Sequence, residues 1–327
     1  MVGFYTSIVL NNIGLPVISY WDVSAFDLKM ATCNNLACDN PALTTIDDTS
    51  ANVGTFSSIQ MKVTGSPVIS YHDESNKDLK IAICNDALCS DPIRKVLDET
   101  GNNMGRYSSL ALSAAGLPVI SYHDFDNKDL KMAICTDALC DNVTLRTVDD
   151  SVDEVGEHSS IQLNSNGLPV ISYYDATNED LKIAVCNNAI CTQPTLTRVD
   201  TNGNVGTFTS LSLTVDDYPV ISYRDETNGD VKIAVCNDIA CTNPTLTSVD
   251  SEGSFGEFSS LALNSDGYPV ISYFAGTGKA DLKIAIFDQH LETSTPEPTP
   301  TATQESIPTT PSPPADISIY FPIIVRE

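Results

Sequence analysis

A planar side chain next to a carboxylate recurs along this sequence. The residue after a repeated tyrosine is, in turn, Trp21, His72, His123, Tyr174, Arg224 and Phe274. The residue after that is Asp22, Asp73, Asp124, Asp175 and Asp225, until Ala275 breaks the series. A flat face that stacks, beside an acid that accepts hydroxyl hydrogen bonds, suits sugar recognition. The architectural alternative is that the ring caps a neighbouring element while the aspartate closes an Asx turn. Because the planar position varies from copy to copy, these residues form the candidate ligand-binding rim.

The same segments carry a second aspartate at D-x4-D spacing: Asp22 with Asp27, Asp73 with Asp78, Asp124 with Asp129, Asp175 with Asp180, and Asp225 with Asp230. A further acidic stretch, Asp149-Asp150-Ser151-Val152-Asp153-Glu154, typifies the loops before a repeated glycine. Calcium takes six to eight oxygens, so these aspartates are candidate calcium ligands. None has the spacing of an EF-hand loop, and solvated turns are the alternative. No other cofactor is expected. A lysine two residues beyond the second aspartate (Lys29, Lys80, Lys131, Lys182, Lys232, Lys283) shares its strand face and is expected to pair with an acid.

The ten cysteines form five C-x4-C pairs: Cys33 with Cys38, Cys84 with Cys89, Cys135 with Cys140, Cys186 with Cys191, and Cys236 with Cys241. Each pair falls where the third strand-like run turns toward the fourth. An even count, paired within each copy, predicts local disulfides and an oxidising compartment. Zinc would need four ligands in one neighbourhood, and each copy offers two, with no repeating histidine beside them.

All of these positions are set by one repeat. "G-x-P-V-I-S-Y" or a near match occurs six times, with Pro16, Pro67, Pro118, Pro169, Pro219 and Pro269 spaced by 51, 51, 51, 50 and 50 residues. Gly3, Gly54, Gly105, Gly156, Gly206 and Gly256 keep the same step. Each copy holds four short β-branched and aromatic runs bounded by turn residues. In the fourth copy they are Ser159–Leu163, Pro169–Tyr173, Leu181–Cys186 and Thr195–Val199. No window has helical periodicity. The predicted fold is therefore all-β: a six-bladed β-propeller of ~50-residue four-stranded antiparallel blades. The propeller spans residues 1–290, with copies starting near 2, 53, 104, 155, 205 and 255. The sixth copy stops after Leu282–Phe287, so one strand is missing. It lies upstream of a fragment, or blade six has three strands, or Ile317–Val325 folds back into the gap; the first two are preferred.

Residues 291–316 are a Pro/Thr/Ser-rich linker or stalk, predicted to be disordered, and 317–327 a short apolar C-terminal segment. The stalk and "I-Y-F-P-I-I-V-R" resemble the C-terminal tails of some bacterial secreted or surface proteins. Residues Met1–Gly14 show no signal peptide, which is expected if the natural N-terminus is missing. With 43 acidic against 17 basic residues and a formal charge of −26, the chain is no phosphate-tracking nucleic-acid binder. No apolar run is long enough to span a membrane as a helix.

The repeat type "S-S-L-A-L…G-x-P-V-I-S-Y…D-L-K-I-A" resembles secreted propellers of the six-bladed fucose-lectin and sialidase-like superfamilies. The resemblance implies the fold; no sugar-binding residue carries over by motif. Sialidases need an arginine cluster and a Tyr/Glu pair. The six arginines here are Arg94, Arg106, Arg146, Arg198, Arg224 and Arg326, and the S-x-D-x-G-x-x-W box is absent. A repeat places like groups around a ring, whereas catalysis needs unlike groups in one pocket. The expectation is thus a secreted or cell-surface recognition propeller, monomeric, binding a protein or glycan, without catalysis. The alternatives are a calcium-assisted or aromatic-rim lectin and a sialidase-like glycoside hydrolase.

Overall fold

The computed structural model describes residues 3–101, 103–251, 255–276 and 281–287. They form six antiparallel sheets and no helix. Blade 1 is β1 (Phe4–Leu10), β2 (Pro16–Asp22), β3 (Asp27–Thr32) and β4 (Ala42–Asp47). Blade 2 is β5 (Val53–Met61), β6 (Pro67–Asp73), β7 (Asp78–Ile83) and β8 (Ile93–Asp98), and blade 3 is β9 (Met104–Leu112), β10 (Pro118–Asp124), β11 (Asp129–Cys135) and β12 (Val143–Asp149). Blade 4 is β13 (Val155–Leu163), β14 (Pro169–Asp175), β15 (Asp180–Val185) and β16 (Thr195–Asp200). Blade 5 is β17 (Val205–Leu213), β18 (Pro219–Asp225), β19 (Asp230–Val235) and β20 (Thr245–Asp250). Blade 6 is β21 (Phe255–Leu263), β22 (Pro269–Ala275) and β23 (Asp281–Ile286). The predicted six-bladed propeller is the fold. The stalk, the C-terminal segment and the proposed fold-back lie outside the described residues.

The first strand of each blade lies innermost and packs against the first strands of its neighbours. The core lies between blades, not within them. One such seam joins Leu79, Ile81 and Ile83 of blade 2 to Leu110, Ile120 and Tyr122 of blade 3. Because both faces of an internal blade are covered, its second strand is buried end to end, as in β10 and β14, and its third nearly so. The repeated glycine permits the approach: a Cβ on Gly54, with φ +108°, would sit 2.7 Å from the Leu28 Cα of the preceding blade.

A buried polar triad repeats at every described seam. The last residue of a fourth strand is Asp47, Asp98, Asp149, Asp200 or Asp250, one residue beyond where the sequence pattern places the strand end. Asp98 accepts from Tyr122 at 2.6 Å and Lys131 at 2.7 Å, both on blade 3. Asp47 meets Tyr71 and Lys80 in the same way, Asp149 meets Tyr173 and Lys182, and Asp200 meets Tyr223 and Lys232. Asp250 meets Tyr273 and Lys283 at 2.9 Å each. The repeated lysine thus pairs between blades. Burial alone would raise these carboxyls. Hydrogen bonds from lysine, from tyrosine and, at Asp47 and Asp98, from a nearby threonine outweigh burial and hold Asp47, Asp98, Asp149 and Asp200 below the ordinary value.

All five C-x4-C pairs are disulfides, as their spacing predicts. Cys33 is bonded to Cys38, Cys84 to Cys89, Cys135 to Cys140, Cys186 to Cys191 and Cys236 to Cys241, with Cα atoms 4.7–4.8 Å apart. The first cysteine of each pair ends or directly follows a third strand. The second lies short of the fourth strand, in a tight turn that the spacing alone does not specify. Cys38, Cys89, Cys140, Cys191 and Cys241 are all left-handed there, with φ between 51° and 55°. Each donates its backbone N–H to the carbonyl three residues earlier: Asn35, Asp86, Asp137, Asn188 and Asp238 respectively. The turn and the crosslink hold the same short loop, so a conformation rare for a residue with a Cβ is retained. Closing a loop this short contributes about 2 kcal/mol in the chain-entropy model.

The seam between blades 6 and 1 is different. Among the described residues, β21 does not pack on β1 as the other innermost neighbours pack on each other. Ile8 of blade 1 is 61% exposed, whereas its counterpart Leu110 is 1% exposed. On blade 6, Leu282 is 75% exposed where its counterpart Leu79 is fully buried, so among the described residues this seam is not packed as the other five are.

Removing the carboxylate from one triad leaves a buried ammonium without its partner. Asp98→Asn is expected to cost about 3 kcal/mol in urea unfolding. A triad carboxyl held below its ordinary value stabilises the fold fully above pH ~4, and that contribution is lost as the pH falls through the folded value. The variant should therefore lose less stability than the wild type between pH 5 and pH 2; parallel losses would remove the triad from the acid response.

Candidate functional site

Six aromatic rings line the axis, and sequence reasoning missed them. Each innermost strand contains a bulge where its register with the second strand shifts. At the bulge sit Tyr5, Phe56, Tyr107, His158, Phe208 and Phe258, all left-handed with φ between 51° and 55°. That conformation is unfavourable for a bulky residue and persists because its surroundings over-determine it. Successive ring centroids lie 4.4, 4.7, 4.4, 4.5 and 4.9 Å apart. The signal was available: the second residue after each repeated glycine is always aromatic or imidazole. Burial, and secondarily His123, pushes His158 down to about 3, so it is neutral in the stack.

A cavity of about 340 Å³ opens beside this stack, lined by Tyr5, Trp21, Asn52, Thr55, Phe56, Glu74 and Arg106. Residues of blades 1, 2 and 3 meet there. Trp21 is the penultimate residue of β2 and its ring lies near Tyr5, with centroids 6.1 Å apart. Glu74 lies in the hairpin after β6, with its carboxylate 3.2 Å from His72 Nδ1 and 2.6 Å from Lys77 Nζ. The hydrogen bond from His72, then that from Lys77, overcomes burial and pulls Glu74 down to about 2. The Arg106 guanidinium is 3.7 Å from Glu74 and lies over the Phe125 ring at 4.4 Å. Three polar atoms of the lining are buried without a protein partner: Trp21 Nε1, Asn52 Oδ1 and Arg106 Nε. Buried polar atoms cost free energy when unpaired, so a lining with three of them is suited to a polar ligand. Beyond Arg106, burial and then Glu154 raise Glu157, with Arg106 opposing.

The structure separates the candidate rim. Trp21 lines the cavity, whereas His72 and His123 are fully buried beneath the mouth. Tyr174 is buried and donates to Asn204 at 2.8 Å; Arg224 is buried and pairs with Glu226 and Glu257; Phe274 is half-buried. The packed middle strands extend to these positions, so most planar side chains face a seam rather than solvent. Asp22, Asp73, Asp124, Asp175 and Asp225 are buried too. Each accepts backbone N–H groups of its own hairpin, such as that of Asn127 at 3.1 Å for Asp124, which makes an Asx turn. Their partners Asp27, Asp78, Asp129, Asp180 and Asp230 open the third strands. Burial, then Asp124, raises Asp129 to about 6. Among the described residues no three His, Cys, Asp or Glu side chains converge as a metal site would require. At the opposite end of the axis, a second cavity of about 350 Å³ is lined mainly by amides and aliphatic side chains, including Gln60, Leu112 and Gln162.

No family model matches the chain, and no curated protein matches it in sequence. Solved structures do share its fold. A protein of unknown function from Dyadobacter fermentans superposes with a TM-score of 0.63 at 12% identity, covering 86% of this chain and 93% of that one. An α-L-arabinofuranosidase from Fusarium graminearum, solved with an iminosugar inhibitor, gives 0.58 at 9% identity over 88% and 92% of the two chains. A sialidase from a Hadza microbial source gives 0.55 at 14% identity over 84% and 63%. The resemblance to sialidase-like propellers therefore holds at the level of the fold.

The expectation that the chain is no enzyme is corrected here. The propellers that superpose on it include an arabinofuranosidase and a sialidase, so this architecture does not exclude turnover. The premise that a repeat brings only like groups together also fails. Where equivalent positions differ, one pocket receives an indole, a carboxylate and a guanidinium from three blades.

The neutral imidazole in the aromatic stack is testable. Its folded value lies below its unfolded value, so it supports stability above pH ~6.5 and loses that support as the pH falls toward 3. His158→Phe should melt like the wild type at pH 8 and above it at pH 4.5, by thermal scans. Identical pH dependence in both proteins would remove His158 from the acid response.

Proposed function

We propose that this chain is an extracellular carbohydrate-binding propeller whose ligand site is the pocket between Trp21, Phe56, Glu74 and Arg106. The observation that carries the reading is the chemistry of this pocket. Aromatic faces stack against the apolar face of a sugar ring, an ionised carboxylate accepts hydroxyl hydrogen bonds, and unpaired indole and guanidinium N–H groups donate. Five disulfides support an oxidising, secreted or cell-surface setting, and among the described residues no helix is long and apolar enough to cross a membrane.

A second reading, glycoside hydrolysis at the same mouth, is favoured by one observation. Glu74 and Glu157 are pushed in opposite directions around Arg106, the pattern expected of an ionised carboxylate and a protonated acid acting together. Both readings share the sugar and differ in whether it is turned over.

Glycan-array binding by the full chain, followed by calorimetry with the best ligand, tests the proposal. Trp21→Ala and Glu74→Gln are each expected to weaken binding about tenfold or more with little change in the melting midpoint. Binding should persist at pH 4, because Glu74 stays ionised down to about 2. EDTA should leave it unchanged; a calcium-assisted mode through the acidic hairpins would instead be lost. Unchanged affinity in both variants would place the ligand elsewhere. Release of the fluorophore from aryl arabinofuranosides or sialosides, abolished by Glu157→Gln, would establish the hydrolytic reading.

A further inference from the structure

The mouth of the seam between blades 1 and 2 is built like that between blades 4 and 5, with one side chain changed. We infer that at the first of these seams Trp21 and Asn52 form a donor–acceptor pair that reads one hydroxyl of the ligand. The hydroxyl accepts from Trp21 Nε1 and donates to Asn52 Oδ1. This pair deepens the carbohydrate reading proposed above, on which its role depends.

The acceptor side is the same at both seams. The chain enters blade 2 as Asn52-Val53-Gly54-Thr55-Phe56-Ser57-Ser58 and blade 5 as Asn204-Val205-Gly206-Thr207-Phe208-Thr209-Ser210. The backbones match as well. Gly54 and Gly206 have φ of 108° and 110°, and Phe56 and Phe208 both have 53°. Val53 donates to the carbonyl of Phe26 and Val205 to that of Glu179, each the last residue before a third strand of the preceding blade. A Cβ added to either glycine would meet the Cα of the corresponding leucine, Leu28 or Leu181, at 2.7 Å. The asparagine therefore stands at the same place in both seams.

What faces the asparagine differs. Between blades 4 and 5, Tyr174 donates its hydroxyl to Asn204 Oδ1 at 2.8 Å. Between blades 1 and 2 the equivalent residue is Trp21, whose one polar side-chain atom is a donor. Trp21 Nε1 and Asn52 Oδ1 are both buried without a protein partner. A hydroxyl both accepts and donates, so a single hydroxyl is able to pair both atoms. The Tyr174 hydroxyl is thus the protein's own counterpart of the ligand group.

Accessibility singles out this seam. Between blades 2 and 3, His72 Nε2 and Asn103 Oδ1 are also buried without a partner. His72 is fully buried, Asn103 is 7% exposed, and neither lines the cavity. Trp21 and Asn52 both line it, beside the rings of Tyr5 and Phe56. A sugar resting on these aromatic faces presents its hydroxyl edge to the pair. An ether oxygen accepts but does not donate, and a deoxy carbon does neither. Either leaves a buried polar atom unpaired, which is the basis of strong discrimination by a hydrogen-bonding site.

The probes are the methyl glycosides of D-glucose, D-galactose, D-mannose and L-arabinose with their monodeoxy and mono-O-methyl derivatives, titrated into the full chain by calorimetry. For the glycoside that binds, deletion of one hydroxyl should weaken binding to the wild type at least tenfold. That penalty should fall below about twofold in Trp21→Phe and in Asn52→Ala, and should persist in Glu74→Gln. Trp21→Tyr copies the seam between blades 4 and 5. It should bind the parent glycoside at least tenfold more weakly, with a melting midpoint no lower than that of the wild type. Circular dichroism would verify that each variant folds. A penalty that survives Trp21→Phe, no penalty at any position, or wild-type affinity in Trp21→Tyr would overturn the inference. Such results would assign an ordered water to the pair while carbohydrate binding stood. No binding of any glycoside by the wild type would overturn the carbohydrate reading and this inference together.

Discussion

A carboxylate buried in the seam between two blades is the constraint on which this architecture depends. Such a group is stable only beside a cation and hydrogen-bond donors, and its own blade supplies no cation. Asp98 is satisfied solely by Tyr122 and Lys131 of blade 3 and by the local Thr100. Each blade thus needs the next one to complete its fourth strand. The apolar seam contributes the larger favourable free energy, but it is non-directional. The triad adds position: it aligns the third strand of one blade with the end of the preceding sheet, and the glycine approach follows from that alignment. At blade 1, where no fourth-strand aspartate of a preceding blade is among the described residues, the equivalent lysine, Lys29, pairs with Asp22 of its own hairpin instead.

Repetition also explains how a pocket of unlike groups arises. The scaffold fixes where each position sits and leaves the side chain free wherever packing does not choose it. The first residue after the repeated glycine is Phe4, Thr55, Arg106, Glu157, Thr207 or Glu257, and of these Thr55 and Arg106 line the cavity. Arg106 can therefore reach Glu74 of the neighbouring blade while Thr55 and Trp21 line the adjoining wall. The residue that follows is held aromatic or imidazole, because it stacks on its neighbours around the axis. One position provides the support, and the residue beside it provides the chemistry.

Much of this molecule was legible in the chain. The number of blades, the order of strands, the disulfide pairing and the paired role of the lysine follow from a 51- or 50-residue period and from side-chain alternation. These are consequences of local patterning, which repeats in the sequence as it repeats in space. The aromatic column was equally periodic and was missed because its residues sit at a bulge, where alternation predicts nothing about direction. The left-handed turn at Cys38 and its four equivalents was hidden for a related reason: spacing shows that two thiols can meet, but not the backbone path between them. The triad aspartates stood one residue past the recognised end of each fourth strand.

Which residues meet was decided by the tertiary structure. His72 and His123 look like rim residues by position, yet the middle strands of a blade are covered on both faces, so they are buried while Trp21 reaches the cavity. Asp73 and Asp124 look like ligands, and their oxygens are taken up by hairpin N–H groups. The pocket joins residues as far apart as Tyr5 and Arg106, which no spacing rule connects. The sequence settled the repeat, because a strand's pattern records which of its faces is covered. The site depended on the packing of one blade against another, because contacts across a seam leave no period in the chain.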